Sequence, residues 1–531
     1  MMKKTTSIIL SLLFSAAALC GCGGNGNTNA GDNGDPYTYR EVTHVDDNNR
    51  VFYEIFVRSF ADSDGDGIGD LRGVIEKLDY LNDGDDNTHG DLGITGIWLM
   101  PVCPSPTYHK YDVTDYYAID SEYGTMADFE ELADKCEERG IKLIVDLVLN
   151  HTSSQHPWFI QSKSAQVSGS NSVYKDWYVY ADSKVTDKYY KIADNLYYEG
   201  DFWSEMPDLN MESESLREEV KNIVDFWLEK GADGFRLDAA KHVYANMEDN
   251  ISFWKWFTDY VKTKDEDAYT VAEIWSTGGE IQEYYRAGFT SVFNYEGGDS
   301  LGKIVNTVNS GTGLSSPQKF AQWVEEWQGK ITAKNAGAID APFLSNHDNG
   351  RSFGALRRDA SNAKMAALLY LTMPGSPFIY YGEEIGMLGS GTDENKRLAM
   401  LWSSSSGNCS DPPNADWFEQ ECEPVSKQKD DYDSMLHLYR MAIRMRAENP
   451  ELARGTVQAI EVGSSDVAAW KATWNGKSVV VVHNLSFVRA EVTFTLPGAT
   501  LRSYVAVEGG TPTVSGDSVT VPGYCTAVFA L

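Results

Sequence analysis

Gly234-Phe235-Arg236-Leu237-Asp238-Ala239-Ala240-Lys241-His242 carries an apolar, strand-like pattern directly into a packed set of ionisable residues. On a strand, Arg236 and Asp238 are two apart and share a face, where a guanidinium favours the ionised carboxylate. That is the chemistry of a charged nucleophile. Such a nucleophile needs a second carboxyl that keeps its proton, and Ala272-Glu273-Ile274-Trp275, ending the next apolar run, places Glu273 beside a large ring. Paired carboxyls of unlike environment are the equipment of glycoside hydrolysis.

Outward from this stretch, short apolar runs rich in Val, Ile, Phe and Tyr alternate with helical periodicity between about Arg50 and Gly386. The pattern is a βα repeat. Eight runs are counted: Val51–Val57, Gly96–Val102, Lys142–Leu149, Gly234–Ala239, Thr270–Ile274, Ser291–Asn294, Ile339–Leu344 and Phe378–Tyr381. Eight such strands predict an α/β fold, a (β/α)8 TIM barrel spanning 48–151 and 208–454. In such barrels the chemistry sits at the C-terminal strand ends, where this chain has Asn150-His151, Asp238, Glu273, Asn346-His347-Asp348 and Glu383-Glu384. The polar and aromatic stretch 152–207 follows the third strand without helical periodicity and is read as a small inserted domain at the barrel mouth. From about Gly455, alternating runs predict a C-terminal antiparallel β-sandwich over 455–531.

Composition narrows the partners. The 531 residues carry 78 acidic against 45 basic side chains, a formal charge of −33, which argues against nucleic acid or an anionic membrane surface. A neutral ligand is the natural alternative. Residues 1–22 read as an export signal, with a basic start and an apolar run from Ile8 to Leu19 that is too short to span a bilayer. Leu19-Cys20-Gly21-Cys22 resembles the lipobox of bacterial lipoproteins, which implies cleavage before Cys22 and lipid on its sulfur. The Gly/Asn/Asp tract that follows reads as a flexible tether over 23–47. A bacterial cell-surface lipoprotein is therefore expected, with a plainly secreted protein as the alternative, and the membrane is touched only through the anchor. Five cysteines remain outside the signal, and Cys409 and Cys422 are candidates for closing a short loop.

With the strand ends assembled, the chain resembles the α-amylase family of glycoside hydrolases from about Arg50 to the C-terminus. The motifs are Asp146-Leu147-Val148-Leu149-Asn150-His151, Gly234 to His242, Glu273-Ile274-Trp275 and Phe343-Leu344-Ser345-Asn346-His347-Asp348, in the family's order. Met206-Pro207-Asp208-Leu209-Asn210 resembles the form found between oligo-1,6-glucosidases and neopullulanases. The resemblance implies that Asp238 attacks the anomeric carbon, Arg236 keeps it anionic and Glu273 acts as acid then base. Asp348 then binds and distorts the sugar, and His109, Tyr111, His151 and His347 contact it. Lys241 and His242 would hold the leaving-group side. Ala239 beside the nucleophile favours α-1,4 over α-1,6 bonds. The expected substrates are starch, glycogen and maltooligosaccharides, acted on by a monomer; oligosaccharide cleavage or transglycosylation on the same scaffold is the alternative.

Asp62-Ser63-Asp64-Gly65-Asp66-Gly67-Ile68-Gly69-Asp70 alternates carboxylates with glycines, which suits a hard cation such as Ca2+. It is not an EF-hand, because the twelfth position is Gly73 rather than a bidentate Glu. Similar loops in oligo-1,6-glucosidase-like relatives imply Asp62, Asp64, Asp66, the Ile68 carbonyl and Asp70 as ligands of a structural ion.

Overall fold

Each of the eight predicted runs overlaps one barrel strand: Phe52–Ile55, Gly96–Leu99, Lys142–Leu147, Gly234–Leu237, Tyr269–Ala272, Ser291–Phe293, Ile339–Ala341 and Phe378–Tyr380, the fifth starting one residue before its run. Both faces of such strands are covered, so they read as continuous apolar runs rather than alternating ones. The first seven pair in parallel in chain order, and the eighth returns to pair with the first. Between the seventh and eighth, a parallel bridge joins Phe343 to Phe378, and the Phe378 N–H donates to the Pro342 carbonyl at 2.9 Å. The barrel is thereby nearly closed. Gly234 enters the fourth strand at φ +148°, where an added Cβ would overlap the Tyr269 carbonyl of the next strand. Only glycine permits that approach.

The computed structural model describes Asp35 and residues 37–309, 316–404, 407–416, 419–486 and 488–531. The export signal, Cys22 and the tether up to residue 34 lie outside the described residues. Tyr37 onward differs from the tether reading. Its hydroxyl donates to Glu448 at 2.8 Å, the Arg40 N–H donates to the same carboxylate at 2.7 Å, and both bonds fasten the segment to the helix Met435–Glu448. Composition alone missed this because the anchoring carboxylate is four hundred residues away. Among the described residues no helix is long and apolar enough to cross a membrane.

The inserted segment carries a helix that periodicity did not disclose, Pro157–Ser168, and a three-stranded antiparallel sheet of Tyr180–Ala181, Leu196–Glu199 and Tyr189–Ala193. The helix starts by capping: Pro157 occupies its first turn and His156 Nδ1 accepts from the Trp158 N–H at 3.1 Å. Bridges from His151 to Asp208 and from Tyr178 to Leu209 tie the insertion to the mouth of the barrel. Beyond Arg454, a five-stranded and a three-stranded antiparallel sheet share a core that includes Val480, Val482, Phe494, Val519 and Phe529. The expected Cys409–Cys422 pairing is not formed. Both thiols are free; Cys409 sits near Asp62 and Asp70, and Cys422 beside Gly386.

Candidate active site

Arg236 is the centre of the site. Its guanidinium is 1% exposed, and Nη1 lies 2.9 Å from Asp146 and 2.5 Å from Asp238. Its Nη2 lies 3.0 Å from Glu273 Oε2, and the same oxygen accepts from the Ala239 N–H at 2.9 Å. That N–H is presented by an unusual backbone: Ala239 has φ +45°, in the left-handed region. The third, fourth and fifth strands thus deliver three carboxyls to one cation.

The seventh strand delivers a second group. Asp348 lies 3.1 Å from His347 Nε2 and 2.8 Å from Arg397 Nη2, and Arg397 Nε also donates to the His347 carbonyl at 3.0 Å. His347 Nδ1 is 2.6 Å from Glu54 on the first strand. Tyr111 joins the two groups, its hydroxyl 3.1 Å from Asp146 and 2.8 Å from His347 Nε2.

Charge follows from this inventory. Four buried acids, Glu54, Asp146, Asp238 and Glu273, and the partly exposed Asp348 face three cationic groups, Arg236, Arg397 and His347. A fully ionised cluster would leave uncompensated negative charge in a desolvated site, so some carboxyls retain protons. Burial pushes Glu273 up, Arg236 opposes that, and the charges of Asp238 and Asp348 push it further. Burial also raises Asp146, to about 7, against the pull of Arg236. Asp238 is raised by burial too, but it holds the shortest ion pair with Arg236. Asp348 goes the other way: His347 and Arg397 outweigh its burial and hold it well below the usual carboxylate range. Burial alone would depress His347, yet Asp348 and Glu54 raise it to about 9.

Above these groups opens a cleft of about 520 Å³, lined in part by Asp238, Glu273 and Asp348. His109, Tyr111, His151, Lys241 and His242 also line it. Burial lowers His109 and His151 to about 4, so both are neutral near pH 7. His109 Nδ1 accepts from the Tyr111 N–H at 3.1 Å, which places its own hydrogen on Nε2. His151 Nε2 is buried with no hydrogen-bond partner among the described residues. Lys241 Nζ donates to the Trp275 carbonyl at 2.7 Å, and His242 Nδ1 lies 2.7 Å from Asp201.

Two of the predicted site residues do not line the cleft. Arg236 and His347 are each 1% exposed and lie behind the cleft wall, with the two terminal guanidinium nitrogens and both ring nitrogens taken by carboxylates and Tyr111. Other cleft residues escaped sequence reading. Arg397 follows the eighth strand without any motif, while Phe202 and Trp203 come from the insertion and are about half exposed. Phe202 stands between the rings of His151 and His242, at 5.3 and 5.2 Å.

Away from the cleft, carboxylate oxygens of Asp62, Asp64 and Asp70 come within 4.8 Å of one another. Asp66 is outside this group; its carboxylate accepts from the Ile68 N–H at 2.7 Å. The tight Gly65 and Gly67 turns point that side chain back onto its own loop. Asn150 donates to Asp208 at 3.4 Å, and the other Asp208 oxygen accepts from Asp201.

Similarity to known proteins agrees with this geometry. Residues 54–455 match the family described as "Alpha amylase, catalytic domain". "Alpha-amylase 3" of Dictyoglomus thermophilum is 42% identical, over 84% of this chain and 86% of its own. A 4-alpha-glucanotransferase of Thermotoga neapolitana is 31% identical, over 82% of this chain and 96% of its own. The solved structure of Eubacterium rectale Amy13B superposes with a TM-score of 0.87 at 38% identity, covering 92% of this chain and 97% of that one. A nearly closed eight-stranded barrel, acidic groups at its C-terminal strand ends and a match across three quarters of the chain have one reading: this chain belongs to the α-amylase catalytic-domain family of glycoside hydrolases.

Proposed function

We propose that the protein hydrolyses internal α-1,4-glucosidic bonds of starch, glycogen and maltooligosaccharides by double displacement. The observation that carries this is the shared Arg236, which contacts Asp238 and Glu273 at 2.5 and 3.0 Å. Asp238, with the stronger claim on the cation, is the nucleophile that forms a glycosyl-enzyme. Glu273, raised by burial and by its anionic neighbours, protonates the leaving oxygen and then deprotonates water. Asp348, held anionic by Arg397 and His347, binds the distorted ring. The orphaned Nε2 of His151 supports a polar partner supplied by substrate, since buried polar atoms seldom lack one. Neutral imidazoles suit a neutral sugar hydroxyl.

The choice of bond rests on Ala239 and on Lys241 with His242, which line the cleft beyond Glu273. Half-exposed Phe202, Trp203 and Trp275 supply apolar faces for pyranose rings on that side. Such acceptor-side rings also favour transglycosylation, the second reading, because a held sugar competes with water for the intermediate. Product chromatography from starch, pullulan, cyclodextrin and isomaltose separates them. Mixed short maltooligosaccharides with rapid loss of starch viscosity support the first reading; products longer than a maltotetraose substrate support the second. Glucose from isomaltose alone defeats both.

A structural Ca2+ is proposed at Asp62, Asp64 and Asp70. Three carboxylates converge there without a Lys or Arg ion pair among the described residues, and all-oxygen donors suit a hard cation. The ion would hold the loop that precedes the helix Leu71–Glu76, which Asp70 caps through the Gly73 N–H. Residues 1–22 support export, with Cys22 as the lipidation site.

A further inference from the structure

We infer that the cleavage cleft continues past Trp275 into a second carbohydrate-binding depression, formed by the turn after the sixth strand, that holds distal glucose units of a long α-glucan. This rests on the proposed α-1,4-glucanase reading and extends it to chain length. The depression, of about 440 Å³, begins at Ser276 and is framed by Tyr295, Glu296, Asp299, Leu301, Lys303 and Asn306. Continuity is structural. Trp275 lines the cleavage cleft, Ser276 lines the depression, and the Trp275 ring stacks on Tyr295 with centroids 5.5 Å apart and planes at 10°.

The chemistry of the depression is amphipathic in the way a pyranose is. Leu301 is 81% exposed, which for a leucine between two glycine-containing turns leaves an apolar face without a partner among the described residues. Around it, Lys303 lies 3.4 Å from Glu296, and Glu296 accepts from Trp323 Nε1 at 3.0 Å, so hydroxyl-binding groups are fixed in place. The floor requires small residues. A Cβ at Gly278 would overlap the Glu296 carboxylate, and one at Gly302 would overlap the Gly298 carbonyl. Lys241, assigned to the leaving-group side, donates to the Trp275 carbonyl, so the depression extends that side. A chain crossing Trp275 would meet an apolar contact and a ring of hydroxyl partners.

The test compares Leu301→Ala and Lys303→Ala, singly and together, with the parent on maltotriose and maltoheptaose. Both side chains lie on the surface and outside the catalytic cleft, so the fold and the chemistry are retained. The double variant should lose about tenfold in kcat/KM on maltoheptaose, equivalent to about 1.4 kcal/mol, and less than twofold on maltotriose. Calorimetric titration of maltoheptaose into Asp238→Asn, with and without the double substitution, should show the same loss in affinity. Equal losses on both sugars, or none on either, overturn the distal site while leaving hydrolysis established. A parent inactive on every α-1,4 substrate overturns the function and this site with it.

Discussion

Glu54→Gln isolates the charge behind Asp348. Glu54 and His347 are both about 1% exposed and 2.6 Å apart, while Asp348, Asp146 and Tyr111 face the same ring and Arg397 holds its carbonyl. Two unit charges about 4 Å apart at an effective dielectric near 20 interact by about 4 kcal/mol. Glutamine keeps an oxygen that accepts from Nδ1, so the lost part is smaller, about 1.5 to 3 kcal/mol, or 1 to 2 pH units. His347, raised to about 9 in the parent, should then titrate near 7 to 8. The sign follows from linkage. A raised histidine stabilises the fold fully below its unfolded value, about 6.5, and that stabilisation is lost as pH rises through the folded value. The variant should therefore melt well below the parent at pH 6, with the gap narrowing between about 7.5 and 9 and closing above it. Imidazole NMR titration of selectively labelled protein, paired with melting curves across that range, is the assay. Identical His347 titration in both proteins, or a gap independent of pH, would refute the charge argument.

Asp238→Asn should fold normally and lose at least about 10³-fold in kcat, because an amide cannot form the glycosyl-enzyme; unchanged turnover on maltoheptaose removes Asp238 from the mechanism. The parent's first product should have the α-configuration, read by proton NMR before mutarotation, and an initial β-anomer excludes a covalent intermediate. Chelation should lower the melting temperature, since a site at a hundredfold excess of ion over Kd contributes about 2.7 kcal/mol, and Asp62→Asn should abolish the chelator effect. Ala239→Val places a β-branched residue at φ +45° and should cost about 1 to 2 kcal/mol, whereas Ala239→Gly should be neutral or stabilising; equal melting temperatures would show that the left-handed turn carries no strain.

The residues that could be read from sequence and those that could not differ in what holds them. Barrel strands are covered on both faces, so Gly96–Leu99 or Phe378–Tyr380 announces itself as an unbroken apolar run, and the polar residue ending it marks the functional rim. Asp238, Glu273 and Asp348 stood out because each ends such a run. Arg397 ends none. It reaches Asp348 from a loop beyond the eighth strand, and it also meets Tyr108, 289 positions away. Glu54 lies within an apolar strand and would pass for a tolerated surface position, yet it faces the barrel interior and meets His347 across 293 positions. The helix Pro157–Ser168 buries only Trp158, Phe159, Ser162 and Ala165, too sparse a stripe for periodicity to reveal. Local pattern thus discloses the groups that line the cleft, and the second layer that sets their charge depends on closure of the barrel. That division explains why His347, read as a sugar contact from its motif, sits behind the wall beside Arg236: a motif records which strand end a side chain belongs to, while the number of buried acids around it decides which way its charge must face.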